Sequence, residues 1–278
     1  MAQAIAERVR SYVLDGSDED LRRLMKISQL QEESARRALR KAGLCEGGTA
    51  IDCGCGPIGG LVVMAEMVGP SGRIVGVDFS EPAIRRARAV VSALKLENVE
   101  LFAGDIHDQE TATLGGPFDL AFSRCFLMHQ PDPVRTLRRI ADLVRPGGSI
   151  VAHEPLLSPP PRSHPQLAAV AGGWELLHEV MELGGAPRGT VDDLPRSARD
   201  AGLEVIETNG HFNIGDPVEF FELHAATLAA TRERAVKSGI ATKKIDDLVA
   251  ALRAAKDGGY AWVTSPFFFD LSLRKPKQ

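Results

Sequence analysis

The chain has 278 residues, 44% of them hydrophobic and 25% charged, with a formal net charge of −4. This balance, with no long basic run, gives no electrostatic footprint for nucleic acid, and no apolar run approaches the ~20 residues that span a bilayer. The length fits one α/β domain over residues 1–278.

Glu7, Arg8 and Arg10 are unlike a signal peptide. Cys45, Cys53, Cys55 and Cys125 form no metal-ligand spacing, so no metal is expected and a reducing cytoplasm is the expected compartment. Residues 1–45 read as a helical cover. Ala4 to Leu14 predicts a short helix. After the turn Asp15-Gly16-Ser17, Ser17 or Asp18 caps a helix running to about Ala42, with Leu21, Leu24, Ile27, Leu30 and Leu39 mostly at helical spacing.

Ala50-Ile51-Asp52 then forms a strand that breaks into glycines at Gly54, Gly56, Gly59 and Gly60 and restarts as a helix over 60–68. Strand, glycine turn and helix bring a nucleotide-like ligand against backbone N–H groups at a helix N-terminus. Arg73 to Asp78 is a second strand, again ending in an acid. Ser80 caps a helix with Pro82 in its first turn, reaching about Leu94. Val99 to Ala103 is a third strand, running into Gly104-Asp105-Ile106. Phe118 to Arg124 is a fourth, Pro131-Asp132-Pro133 opens an amphipathic helix to about Val144, and Ser149 to Glu154 is a fifth. Strands alternating with helices at these spacings require crossover connections and a parallel sheet.

Gly54-x-Gly56-x-x-Gly59 literally matches a dinucleotide fingerprint, so a nicotinamide-dependent oxidoreductase is one alternative. Asp52 argues against it, because a pyrophosphate at that turn would face a carboxylate, whereas a ligand with a positive centre would not. Asp78, 19 residues after Gly59, suits the ribose hydroxyls of either cofactor.

Asp52-x-Gly54-x-Gly56, Val77-Asp78, Gly104-Asp105, the stretch from Phe118 to Pro133, and Leu143 to Gly148 together resemble the class I S-adenosylmethionine (SAM) methyltransferases, most nearly the ubiquinone/menaquinone-type group. The resemblance covers about residues 48–155. It implies a Rossmann-like α/β fold: a seven-stranded, mostly parallel sheet with helices on both faces, its last strand antiparallel between the fifth and sixth. It also implies S-adenosyl-L-methionine as cofactor and S-adenosyl-L-homocysteine as product. The cofactor residues it implies are Tyr12, Asp52, Gly54, Cys55, Gly56, Asp78, Phe79, Gly104, Asp105, Ile106 and Arg124, with Asp105 accepting from the adenine amino group. Tyr12 and Asp105 also admit plain packing and capping roles. Ile58 stands where many members carry a glycine.

Past the core (46–155) the family pattern ends. A stiff Pro159-Pro160-Pro161 loop leads to an apolar helix from about Gln166 to Leu183, with Trp174 and His178, and 156–200 is expected as an inserted lid. A helix near 191–201, a strand at Leu203 to Glu207, helices from Asp216-Pro217 and over 242–255, and a β-rich run from Tyr260 to Leu273 make 201–278 the rest of the core. His224 reads as packing.

Candidate catalytic groups at the carboxyl ends of the strands are His129, a base or a wall residue, and His153 with Glu154, which would orient a phenol or enol or serve structurally. Ser123-Arg124-Cys125-Phe126 lacks the motif for amino-group methylation of nucleobases, and no Pro-Cys pair marks cytosine chemistry. The partner expected is therefore a small-molecule methyl acceptor, not nucleic acid or membrane, and the apolar lid and Phe267-Phe268-Phe269 suggest a quinone, polyketide or terpenoid-like compound of secondary metabolism. C- or O-methylation is the leading reading. A protein of this fold that holds SAM without using its methyl, as a cyclase does, is the second alternative. A homodimer is left open.

Overall fold

The computed structural model describes residues 19–277; Tyr12 and the helix expected over 4–14 lie outside the described residues. The chain enters through α1 (Glu19–Leu30) and α2 (Glu32–Lys41), one predicted helix divided at Gln31. The division has a local cause. Gln31 is 1% exposed, and its amide oxygen meets ring nitrogens of both His153 and His211, at 3.2 and 2.7 Å. A polar side chain drawn into the core there turns the helix.

The core then follows as β1 (Thr49–Cys53), α3 (Leu61–Val68), β2 (Arg73–Asp78), α4 (Glu81–Leu94), β3 (Val99–Ala103), β4 (Phe118–Arg124), α5 (Pro133–Leu143) and β5 (Val144–Pro155). Capping starts two of these helices: the Ser80 hydroxyl, the cap the sequence predicts, accepts from Ala83 N–H, and the Asp132 carboxylate accepts from Arg135 N–H. The remaining elements are β6 (Ser163–His164), α6 (Ala168–Leu183), α7 (Leu194–Asp200), β7 (Glu204–His211), β8 (Ile214–Gly215), α8 (Pro217–Ala230), α9 (Arg232–Lys237), α10 (Thr242–Ala255), β9 (Trp262–Thr264) and β10 (Phe268–Arg274).

The main sheet has seven strands in the order β3-β2-β1-β4-β5-β10-β7. β10 is antiparallel to both neighbours, and β1 to β5 run parallel. This is the Rossmann-like arrangement expected. Two features of it position the site. The strand order reverses between β1 and β4, so a crevice opens outside their carboxyl ends. Because β10 runs the other way, its first residue, Phe268, pairs with Pro155 at the carboxyl end of β5 and so reaches the same rim.

The predicted β-rich run at 260–273 is interrupted at Pro266, which has no N–H to give a ladder. Its first part becomes β9 in a small sheet ordered β6-β9-β8, and its second becomes β10. The helical cover is also wider than the 156–200 insertion. α8 packs against α6, α10 and α1, so residues 217–255 lie in the cover and not in the sheet layers. α7 packs against α5 and β7 and belongs to the core layer.

Candidate active site

The glycine turn is built from its backbone outward. Gly54 and Cys55 donate their N–H groups to the Val77 carbonyl, at 2.8 and 3.0 Å, which holds the turn against the end of β2. Gly56 N–H donates to Asp78 Oδ2, and Ser80 N–H to Asp78 Oδ1, both at 2.8 Å. Gly54 has φ +72°, and a Cβ there would meet the Phe126 ring at 2.3 Å, so the bare backbone is needed for turn and loop to approach. Ile58, the departure from the family pattern, packs with Leu21 and Met25 of α1 and locks the cover onto the turn.

Asp52 lies beneath this turn and not on a cavity wall. It is 1% exposed; Oδ2 accepts Gly60 N–H at 2.6 Å, Oδ1 has no partner, and burial pushes its carboxyl up to about 7. The ligand-facing role expected for Asp52 is therefore corrected: its carboxylate acts on the turn from below.

Arg124, at the end of β4, joins three pieces. Nη2 donates to the Gly59 carbonyl and to Ser28 Oγ of α1, while Nη1 is buried without a partner. Cys125 follows with φ +51°, a strained conformation of the kind that collects at functional sites, and burial pushes its thiol up to about 12.

Two cavities flank this junction. One, of about 570 Å³, is lined by Asp78, Phe79, Gly104, Asp105, Ile106 and Gln130 among others. Phe79 is 80% exposed, an aromatic face left for a ligand to cover. The second, of about 410 Å³, has Cys55, Gly56, Gly59 and Arg124 on its floor and apolar side chains of the cover, such as Leu24, Ile27, Trp174, Leu177 and Met181, above them. Both cavities are lined by Gly54, Asp78, Cys125 and His129.

The three catalytic candidates separate. His129 stands at the junction. Burial, with the nearby Arg234 charge, holds its imidazole down to about 4, and its Nδ1 has no partner. His153 and Glu154 do not reach either cavity. His153 is fully buried, with Nε2 against Gln31 Oε1 and Nδ1 at 3.4 Å from Asp270 Oδ1, and burial keeps its pKa well below the usual range. Glu154 accepts the backbone N–H groups of Phe126, Leu127 and Met128, at 3.1, 2.9 and 3.4 Å, while burial pushes it up to about 7. The expectation that these two orient an acceptor is corrected: Glu154 shapes the short 3₁₀ turn Leu127–His129, and His153 ties β5 to the break between α1 and α2. His178 of α6 lines a separate small hollow of about 20 Å³.

Residues 44–185 match the family model described as "Methyltransferase domain". The chain belongs to the class I SAM-dependent methyltransferases. It is 30% identical over 155 residues to a demethylmenaquinone methyltransferase of Bacillus cereus, a match that covers 55% of this chain and 65% of that protein. An uncharacterized 37.1 kDa protein in transposon TN4556 of Streptomyces fradiae is 38% identical over 109 residues, 39% of this chain and 30% of that one. The chain thus spans less than two thirds of the length of either relative. Among solved structures, a geranyl diphosphate methyltransferase in complex with SAM aligns over 94% of this chain and 91% of its own with a TM-score of 0.54 at 15% identity, a likeness of fold.

SAM is the cofactor of this class, and the residues present fit it. Asp78 and Asp105 offer carboxylates to a nucleoside, Phe79 and Ile106 offer apolar faces to its base, and the unpartnered Nη1 of Arg124 offers a buried cation to the carboxylate of an amino-acid end. The nicotinamide alternative is set aside with the family assignment. Sequence reasoning missed Gln31, His224 and Arg234 as cavity-lining groups.

Proposed function

We propose that this methyltransferase acts on a small, largely apolar acceptor, methylating carbon or oxygen, with a compound of quinone, polyketide or terpenoid character from secondary metabolism or quinone assembly as the substrate class. The observation that supports this is the meeting of two cavities of different character at Gly54, Asp78, Cys125 and His129. The Asp78 and Asp105 side suits a nucleoside, and the Trp174, Leu177 and Met181 side suits an apolar body. When bound, SAM supplies an electrophilic methyl group on a sulfonium centre. The chain's own part is to hold the acceptor in line and keep water out. His129, neutral near pH 7 and placed at the junction, is the group proposed to take a proton from a hydroxyl or enol as it reacts.

The test is incubation with SAM labelled at the methyl carbon and two acceptor panels, one of phenols, hydroquinones and prenylated aromatics, the other of amino acids, sugars and polyamines. Label transfer confined to the first panel is expected. Turnover only of charged, hydrophilic acceptors would overturn the reading, and binding of S-adenosylhomocysteine with no turnover would favour the cyclase-type alternative.

A further inference from the structure

The second cavity contains one polar side chain whose chemistry is fixed by its surroundings. His224 projects from α8 and is 5% exposed. Its Nε2 lies 3.1 Å from the carbonyl oxygen of Thr264 on β9. A carbonyl only accepts, so Nε2 carries the hydrogen, and in a neutral imidazole Nδ1 is then a lone pair that can only accept. The ring is neutral because burial holds it down to about 4. Nδ1 of His129 is buried with no hydrogen-bond partner, as are those of His153 and His211, which face the Asp270 carboxylate at 3.4 and 3.5 Å, but Nδ1 of His224 is not in that class. Among the described residues no hydrogen bond to it is found, and the ring lines the second cavity. The ring is held edge-on by Trp174 at 5.8 Å and Phe220 at 6.4 Å, and it lines the acceptor cavity beside Leu177 and Leu223.

We propose that His224 reads the acceptor, taking a hydrogen bond from a neutral hydroxyl group on an otherwise apolar molecule. This rests on the methyltransferase reading of the cavity. An acceptor-only nitrogen in an apolar wall discriminates by donor: a phenol, hydroquinone or alcohol satisfies it, whereas the matching quinone, ketone or methyl ether leaves it unpaired. Sites built to bond a substrate hydroxyl reject analogues that lack one far more strongly than they reject a change of size. His224 is not among the four residues shared by the two cavities, so it grips the acceptor and transfers no proton.

The test uses protein labelled with ¹⁵N-histidine and saturated with S-adenosylhomocysteine, with 2-naphthol and 2-methoxynaphthalene as probes of one frame differing in the donor. In the wild type, the unprotonated Nδ1 resonance of His224 should move upfield on adding 2-naphthol and stay put with the ether. The wild type should prefer 2-naphthol by about tenfold, and His224→Phe should lose that preference while binding S-adenosylhomocysteine as before. An unmoved Nδ1 resonance, equal affinities in the wild type, failure of both probes to bind, or a preference that survives His224→Phe would each overturn the proposal. Should the variant fail to fold, the wild-type resonance decides alone. If S-adenosylhomocysteine itself does not bind, the methyltransferase reading fails, which is a separate outcome.

Discussion

Replacing Gly59 by alanine should cost the fold far more than the same change at Gly56, although both residues sit in one turn with positive φ. Gly56 has φ +54° with nothing within 4 Å of an added Cβ, so the change there carries only the left-handed penalty of an L-residue, ~1–2 kcal/mol. Gly59 has φ +39°, and its Cβ would lie 2.4 Å from Asp52 Oδ2 and 2.4 Å from the Cys55 carbonyl oxygen. Neither atom yields easily. Cys55 is turn backbone, and moving the Asp52 carboxylate breaks its 2.6 Å bond from Gly60 N–H, a charge-assisted contact of roughly 1.5–3 kcal/mol. The sum for Gly59→Ala is about 2.5–5 kcal/mol, toward the upper end of the range for single substitutions. Equilibrium urea unfolding without added cofactor measures both variants free of any effect on binding. Equal losses at the two positions would refute the claim that Asp52 supports the turn from below.

Asp78→Ala should weaken S-adenosylhomocysteine binding by about one to two powers of ten, the value of a charge-assisted hydrogen bond; calorimetry showing unchanged affinity would remove Asp78 from the site. His129→Gln should lower turnover of whichever acceptor reacts by about 10²–10⁴ if the ring takes the proton, with the nucleoside affinity unchanged; a loss below tenfold would leave it a wall residue. Glu154 sets a pH dependence with a definite sign. Its folded pKa is raised to about 7, so the unfolded chain releases that proton first as pH rises, and the native state loses on the order of 3 kcal/mol between pH 4.5 and 8. Against Glu154→Gln, wild-type stability should therefore fall over that window, and a constant difference would contradict the burial of an ionisable carboxyl there. Trp174→Ala should destabilise by roughly 3–5 kcal/mol as a large ring leaves the cover, and should disturb probe binding in the second cavity more than nucleoside binding; thermal melts and calorimetry separate the two effects.

The parallel core was legible because its signals are local. Arg73 to Asp78, Val99 to Ala103 and Phe118 to Arg124 form strands at the bounds that their apolar runs and breakers indicate, and Ser80 caps its helix. What did not show is what depends on layers. Residues 217–230 and 242–255 read correctly as helices, but periodicity does not tell which face of the molecule a helix covers, so their place in the cover emerged only with the packing of α8 on α6 and α1. The same limit explains Asp52, His153 and Glu154. Each lies near the carboxyl end of a strand, as a ligand-facing residue should, yet central parallel strands are covered on both faces, and a position one or two residues too deep is core. His224 was passed over because a histidine on an apolar helix looks the same in sequence whether or not its ring lines a cavity.

The central claim is that the turn at Gly54 to Gly59 and the acids Asp78 and Asp105 hold a SAM-type nucleoside. Calorimetric titration of the purified protein with S-adenosylhomocysteine, with NAD and NADP run in parallel, tests it most directly. Micromolar, one-to-one binding of S-adenosylhomocysteine alone is the predicted result; binding of NAD or NADP in its place would contradict the account.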